Sequence, residues 1–117
     1  MNFEYTHHKS DDIHQFTLQG DLIEKGQAVQ MLYEIERFIE KKENKFILDL
    51  TALRYMNSTG LNILINVLTK SRKAGGDLAI FGLTPKVSEL LVITKLDTIF
   101  NIVSSREEAI KKLTNNL

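Results

Sequence analysis

The alternation of strand-like and helix-like segments after residue 20 constrains the fold of this chain most strongly. Residues 46–50 are apolar except for Asp49, a pattern typical of a central strand that is covered on both faces. Apolar residues at spacings of three and four predict amphipathic helices over residues 25–41 and 61–75. The first stripe consists of Val29, Leu32, Ile35, Phe38 and Ile39, and the second of Leu61, Leu64, Ile65 and Leu68. This order of elements indicates an α/β domain.

The segments outside this centre complete a mixed β-sheet. Residues 3–7 and 13–18 alternate roughly between apolar and polar types and predict an antiparallel N-terminal hairpin. Further strands are predicted at 78–81 and 99–103. Thr84 and Pro85 mark the start of a helix that reaches residue 93, and Ser104 with Glu107 predicts a capping box for a terminal helix. We expect parallel pairs at the helical crossovers and about four helices packed mainly on one face.

Composition limits the size of the protein and its surroundings. The 117 residues, 43% of them hydrophobic, suffice for one core, so we expect a single domain over residues 1–117. The 15 Lys and Arg are balanced by 15 Asp and Glu, which makes nucleic acid an unexpected partner. No apolar run approaches the roughly 20 residues that cross a bilayer, so we expect a cytoplasmic protein without membrane insertion. The predicted core includes Leu50, Leu61, Leu64, Ile65, Leu68, Ile80 and Phe81.

The residues that usually carry cofactor or metal chemistry lack the required spacing. The glycines fit neither GxxxxGK[ST] nor GxGxxG, so these motifs predict no nucleotide cofactor. Cysteine does not occur in the sequence, which excludes disulfides, thiolate zinc sites and a thiol nucleophile. His7, His8 and His14 lie in the predicted hairpin, where His7 and His8 point to opposite faces. We interpret all three as surface or edge-strand histidines and not as metal ligands.

A polar turn, residues 57–60, joins the predicted central strand to the second helix. Asn57, Ser58, Thr59 and Gly60 are all types that favour helix N-termini, where a short side chain accepts a free backbone N–H. One interpretation is therefore a plain helix cap. The other is a functional site, because ligands of α/β sheets bind beyond the carboxyl ends of the strands. A phosphate attached to a hydroxyl there would be stabilised by the positive end of the helix dipole.

Two families of similar size and class differ in how well they fit the acidic residues and the turns. A response-regulator receiver domain needs an acceptor Asp at the end of a central strand, whereas Asp49 lies inside its predicted strand. It also needs an acidic pair after the first strand, and Asp11 with Asp12 precedes a strand instead. The sequence resembles the STAS family, the anti-sigma-factor antagonists of bacterial partner switching. The resemblance covers nearly the whole chain through, in order, GDL at 20–22, FILDLTAL at 46–53, NSTGL at 57–61, KAGGDLAIFGLTPKV at 73–87 and LDTIF at 96–100.

The resemblance implies a STAS fold and a phosphorylation switch. It implies that Ser58 is phosphorylated by a cognate anti-sigma-factor kinase and dephosphorylated by a Ser/Thr phosphatase. The family usually has Asp where this chain has Asn57 and an acidic residue where it has Ile23. The implied protein is a monomer or weak dimer without catalytic residues, metal or cofactor. The implied partner-binding residues are Asp21, Ile23, Asn57, Ser58, Thr59, Gly60 and Leu61.

Three functions follow as hypotheses. The first is an anti-sigma-factor antagonist that binds a kinase-type anti-sigma factor and is switched at Ser58. The second is a STAS scaffold that binds constitutively, as a subunit of a transporter or a signalling assembly. The third is a small enzyme that uses Ser58, although no His or carboxylate accompanies this residue in a recognisable pattern.

Overall fold

The computed structural model describes residues 2–114, whose five strands form one sheet in the order of the chain. The strands are β1 (Phe3–Ser10), β2 (Ile13–Leu22), β3 (Lys45–Met56), β4 (Asp77–Phe81) and β5 (Asn101–Ile102). The helices are α1 (Val29–Glu40), α2 (Ser58–Lys73), α3 (Pro85–Ile93) and α4 (Arg106–Thr114), with 3-10 turns at Lys25–Ala28 and Leu96–Thr98.

The sheet is mixed in the way that the sequence predicts. β1 and β2 form an antiparallel hairpin in which His7 lies opposite Phe16. The pairs β2–β3, β3–β4 and β4–β5 are parallel, and α1, α2 and α3 follow their first strands in turn. β3 is longer than the predicted 46–50, because the strand continues past the apolar run to Met56. The carboxyl ends of β2 and β3 therefore lie at the same edge of the sheet.

The two faces of the sheet carry cores of different size. One face packs Phe16, Leu48 and Ile80 against the apolar sides of α1, α2 and α3. The opposite face has a smaller cluster, in which Ile47 and Ala79 contact Ala109 and Leu113 of α4. The helices are thus mainly on one face, as predicted. Of the predicted core, Ile65 and Phe81 are half-buried, and the buried members are Leu50, Leu61, Leu64, Leu68 and Ile80.

Two predicted boundaries are wrong by a few residues. β5 covers only Asn101–Ile102, because the preceding residues form a 3-10 turn. The cap of α4 is Ser105 and not Ser104, since the Ser105 hydroxyl accepts the N–H of Glu108 at 3.2 Å. The Glu108 carboxylate accepts the N–H of Ser104 at 3.1 Å, so the return bond reaches the residue before the cap, and the predicted pair of Ser104 and Glu107 is replaced by Ser105 and Glu108. The sequence allows both assignments, because Ser104 with Glu107 and Ser105 with Glu108 have the same spacing.

The predicted stripe of α1 is also corrected at its first residue. Val29 is 62% exposed, whereas Met31 and Ile35 are completely buried. The reason is that Lys25–Ala28 forms a 3-10 turn, so the α-helical period begins only at Val29. Thr84 occupies the predicted N-cap position of α3, but its hydroxyl donates to the carbonyl oxygen of Leu53 at 3.1 Å.

The surface or edge-strand interpretation is wrong for His14. This side chain is 1% exposed, because β2 lies between β1 and β3 and His14 shares the face of Phe16. His7 and His8 are exposed on β1, the edge strand. Within residues 2–114, no group of three or more His, Asp or Glu side chains is arranged to hold a metal ion. In the same range, every helix is too short or too polar to cross a membrane.

Candidate functional site

The turn between β3 and α2 is organised by the side chain of Asn57. Asn57 is the N-cap of α2, and its Oδ1 accepts the backbone N–H of Gly60 at 3.0 Å. Its Nδ2 donates to the carbonyl oxygen of Ile23 at 3.2 Å. One amide thus caps the helix and ties it to the loop that follows β2. An aspartate could make only the first bond, because an ionised carboxylate has no proton to donate.

Gly60 lets the first turn of α2 approach the end of β2. A Cβ atom at this position would lie 2.3 Å from the carbonyl oxygen of Leu22 and 2.8 Å from the Cβ of Met56. These distances are too short for any side chain, so glycine is required by the packing of two backbones. Gly60 and the following Leu61 are both buried, and they support the turn from beneath.

Ser58 and Thr59 are the hydroxyl residues of this turn. Ser58 is the first residue of α2 and is exposed, while Thr59 is half-buried. The backbone N–H groups of a helical first turn are unpaired, and the dipole of this 16-residue helix places partial positive charge there. The first turn of α2 contains no acidic residue. The position of Ser58 can therefore accommodate an added negative charge.

The loop after β2 forms the other side of the site, and Gln27 holds its backbone. Gln27 Oε1 accepts the N–H groups of Ile23 and Glu24 at 2.8 and 2.9 Å, and its Nε2 donates to the carbonyl oxygen of Asp21 at 3.0 Å. Because Asn57 also bonds Ile23, two amide side chains fix this loop. Gln27 gives no signal in the sequence, because its partners are all backbone atoms and leave no side-chain motif.

Asp21 and Ile23 lie at the edge of a surface depression of about 300 Å³, which also includes Arg54, Tyr55 and Lys86. The carboxylate of Asp21 accepts a hydrogen bond from Arg54 at 3.1 Å. Asp21 is therefore paired with a cation and does not stand as a free negative charge beside the turn. Of the two predicted residues, Ile23 is bonded to the turn by Asn57, and Asp21 lies in the last, turn-proximal part of β2.

A larger groove of about 720 Å³ lies between this loop, α1 and α2. Ile23 and Thr59 line it together with Val29, Asn62 and Asn66, which the sequence analysis did not assign to a site. Thr59, Asn62 and Asn66 follow one another at spacings of three and four on α2. This helical spacing, counted from the polar turn, is the signal that could have identified them. The groove and the turn share Thr59 and are therefore adjacent on the surface.

The histidines that a serine nucleophile would need are engaged in the hairpin. His14 bonds Glu43 and His7, and His8 is exposed on β1. Around Ser58 the hydrogen bonds of the turn come from the amide of Asn57 and the backbone of Gly60 and Leu61. This arrangement leaves the side chain of Ser58 exposed at the start of α2.

Comparison with known proteins agrees with this fold. BtrV of Bordetella bronchiseptica, provisionally named an anti-sigma factor antagonist, is 34% identical over 92 residues, which cover 79% of this chain and 78% of BtrV. The unphosphorylated form of the anti-sigma factor antagonist SpoIIAA has the same fold, with a TM-score of 0.81 at 16% identity over 97% of this chain and 99% of SpoIIAA. The phosphorylated form of Bacillus SpoIIAA gives a TM-score of 0.74 at 16% identity over 93% and 98%. The STAS domain family model matches residues 5–109, and the chain therefore belongs to the STAS domain family.

Proposed function

We propose that this protein is an anti-sigma-factor antagonist that binds a kinase-type anti-sigma factor and is switched by phosphorylation of Ser58. The observation that carries the proposal is that two different residues of the turn cap α2 and present the hydroxyl. Asn57 provides the cap of α2, so the exposed hydroxyl of Ser58 is not needed to begin the helix. A residue that is exposed and dispensable for the fold is available to a kinase.

The partner surface in this proposal consists of the turn, the loop after β2 and the groove beside them. Asp21, Ile23, Asn57, Ser58 and Thr59 lie on or at the rim of this surface, and Gly60 with Leu61 supports it. The relatives named as anti-sigma factor antagonists support the choice of partner. In this proposal the chain is a substrate of the kinase and of a Ser/Thr phosphatase and is not itself a catalyst. It acts in the cytoplasm.

Phosphorylation would act through charge at the centre of this surface. A phosphoserine carries about −1.5 to −2 charges at neutral pH, which the start of α2 stabilises but an apolar or acidic partner surface does not. Neither Asn57 nor Ile23 adds a carboxylate beside the phosphate, and Asp21 is paired with Arg54. The modified form is therefore compatible with the fold, and the partner is released because its own surface no longer fits.

The test uses a kinase-type anti-sigma factor from the same organism, with binding measured by titration calorimetry and phosphorylation by mass spectrometry. With ATP, the wild-type protein should gain one phosphate and dissociate. Ser58→Ala should bind and remain bound, and Ser58→Asp should bind at least about tenfold more weakly, a change of about 1.4 kcal/mol. Thr59→Val removes the neighbouring hydroxyl and should still be phosphorylated. This control distinguishes phosphorylation of Ser58 from phosphorylation of Thr59.

The second candidate function, a constitutive scaffold, rests on the amide of Asn57. Its bond to the Ile23 carbonyl replaces a usual acidic position of the family with a neutral structural link. In that case Ser58→Ala and Ser58→Asp would both bind the partner as the wild-type protein does. That result would reject the phosphorylation switch and leave the binding surface in place.

A further inference from the structure

Outside the candidate site, the unusual feature of the molecule is a hydrogen-bonded chain of His7, His14 and Glu43. His7 Nε2 lies 2.7 Å from His14 Nδ1, and His14 Nε2 lies 2.7 Å from Glu43 Oε1. His14 is 1% exposed, and its ring stacks on Phe38 of α1 with a centroid distance of 3.8 Å. The chain thus joins β1, β2 and the loop after α1 around a buried imidazole.

The carboxylate of Glu43 determines where the protons lie. Its hydrogen bond with His14, followed by that with Lys9, lowers the pKa of Glu43, so this group is an anion that only accepts. His14 must therefore donate from Nε2. In neutral His14 the bare Nδ1 accepts from Nε2–H of His7, and Nδ1 of His7 remains as the free basic nitrogen. Every close contact in the chain is then a proper hydrogen bond.

The geometry accepts one added proton but not two. A first proton on Nδ1 of His7 leaves all hydrogen bonds intact, because Nε2 of His7 continues to donate. A second proton on Nδ1 of His14 would face the N–H of His7 across 2.7 Å, and two donors cannot bond each other. It would also place two cations in rings whose centroids are 5.0 Å apart. The second proton therefore breaks the link between β1 and β2 side chains.

Some charged groups around His7 and His14 raise the pKa of His7, and others lower it. His7 is exposed as a residue, but its ring is partly desolvated against Phe16 and Phe38, and this desolvation followed by the neighbouring His14 lowers its pKa. His8 and Lys9 of β1 lower the pKa further. Glu34 of α1, which accepts a hydrogen bond from Tyr5 at 2.7 Å, raises the pKa of His7. Glu43, from the loop after α1, is the anion that faces His14.

We propose that the His7, His14 and Glu43 chain is a pH-sensitive device that anchors the N-terminal hairpin and is released by its second proton. In the unfolded chain each histidine takes up a proton near pH 6.5, so the unfolded state binds about one proton more than the folded pair at lower pH. Stability is therefore complete above about pH 6.5 and falls as the pH decreases. The loss develops near neutral pH, before most carboxylates titrate.

The test is urea unfolding of the wild-type protein, His7→Gln and the matched control His8→Gln between about pH 7.5 and about pH 5.5. His8 is an exposed neighbour on the same strand and does not belong to the hydrogen-bonded chain of His7, His14 and Glu43. In the wild-type protein and His8→Gln, the unfolding constant should rise by up to about tenfold per pH unit below about pH 6.5. In His7→Gln this rise should disappear, because an amide can turn its oxygen toward a protonated His14. Equal pH dependence in all three proteins would overturn the proposal.

A second measurement on the wild-type protein does not depend on any variant. Nitrogen-15 NMR at about pH 7.5, where free histidine is neutral, should show His14 protonated at Nε2 and bare at Nδ1. At lower pH the pair of rings should gain one proton in total while the fold remains intact, and Nδ1 of His7 should then carry a hydrogen. The opposite tautomer of His14, or simultaneous protonation of both rings without loss of structure, would refute the one-proton geometry.

Discussion

The two ends of β2 are held by different kinds of hydrogen bond. At its carboxyl end, the amides of Gln27 and Asn57 bond the backbone of the following loop and fix the candidate site. Near its amino end, imidazole rings link His14 to His7 and to the Glu43 carboxylate. Amides do not titrate, whereas imidazoles change protonation near neutral pH. The difference indicates that the shape of the candidate site is independent of pH while the anchoring of the hairpin is not.

The contrast extends to how closely the backbones pack. At the carboxyl end, Gly60 of α2 approaches the carbonyl oxygen of Leu22 so closely that no side chain fits. At the amino end, the contacts are made by large rings, with Phe38 stacked on His14 and Phe16 beside His7. The site is thus built from backbone and short amides, and the hairpin from long side chains. Mutations should therefore have their largest effects at the site end.

Gly60→Ala should have the largest effect on stability. The added Cβ would meet the Leu22 carbonyl oxygen at 2.3 Å, and backbone on both sides must move. We expect a loss of about 2 kcal/mol, since a clash with backbone lies at the upper end of the usual overpacking cost of about 1 to 3 kcal/mol and alanine regains at most about 1 kcal/mol of helix propensity. Urea unfolding at neutral pH measures the change.

Gly26→Ala is the matched control for this prediction. Gly26 lies in the 3-10 turn that follows β2, and a Cβ there would meet no atom within 4 Å. Its free energy of unfolding should change by no more than about 0.5 kcal/mol. If Gly60→Ala were as stable as Gly26→Ala, the close approach of α2 to β2 would be wrong, and with it the contrast between the two ends.

Much of the fold could be predicted because each element carries its own period. Alternation in the hairpin and spacings of three and four in α2 indicate structure from neighbouring residues alone. The errors arose where the outcome depends on residues far apart in the chain. His14 has the alternation of a buried residue, in phase with Phe16, but its partner Glu43 is 29 residues away. A polar side chain can be placed in a core only when such a partner is known.

The candidate site shows the same limit. Asn57 and Ser58 were recognised as a turn with capping character, but which of them caps α2 depends on the carbonyl of Ile23, 34 residues away. The Ile23 carbonyl oxygen needs a donor, which explains why residue 57 is an amide. Gln27 was missed because it bonds only backbone atoms of its own loop. Residue types predicted the location of the site, and the hydrogen bonds across elements assigned the roles within it.

Asn57→Ala and Asn57→Asp separate the two bonds of this amide. Alanine loses both, and we expect a loss of about 1 to 2 kcal/mol, typical of a missing N-cap. Aspartate keeps the bond to Gly60 and adds favourable charge at the start of α2, but its oxygen replaces the donor to Ile23. Its stability should stay within about 1 kcal/mol of wild type. If both variants lost equal stability in urea unfolding, the cap would contribute nothing and the link to Ile23 would dominate.

Gln27→Met should cost less than Gly60→Ala or Asn57→Ala, and it tests the pH independence of the site end. Methionine has a similar length but cannot bond the N–H groups of Ile23 and Glu24 or the carbonyl of Asp21. These backbone groups are partly exposed, so water replaces much of what is lost, and we expect a cost of about 1 kcal/mol. Because no titrating group is removed, the cost should be the same at about pH 7.5 and about pH 5.5. His7→Gln, in contrast, should remove the pH dependence itself. A Gln27→Met cost that grew as the pH fell would mean that loosening this loop also weakens the hairpin, and the two ends of β2 would then act as one unit.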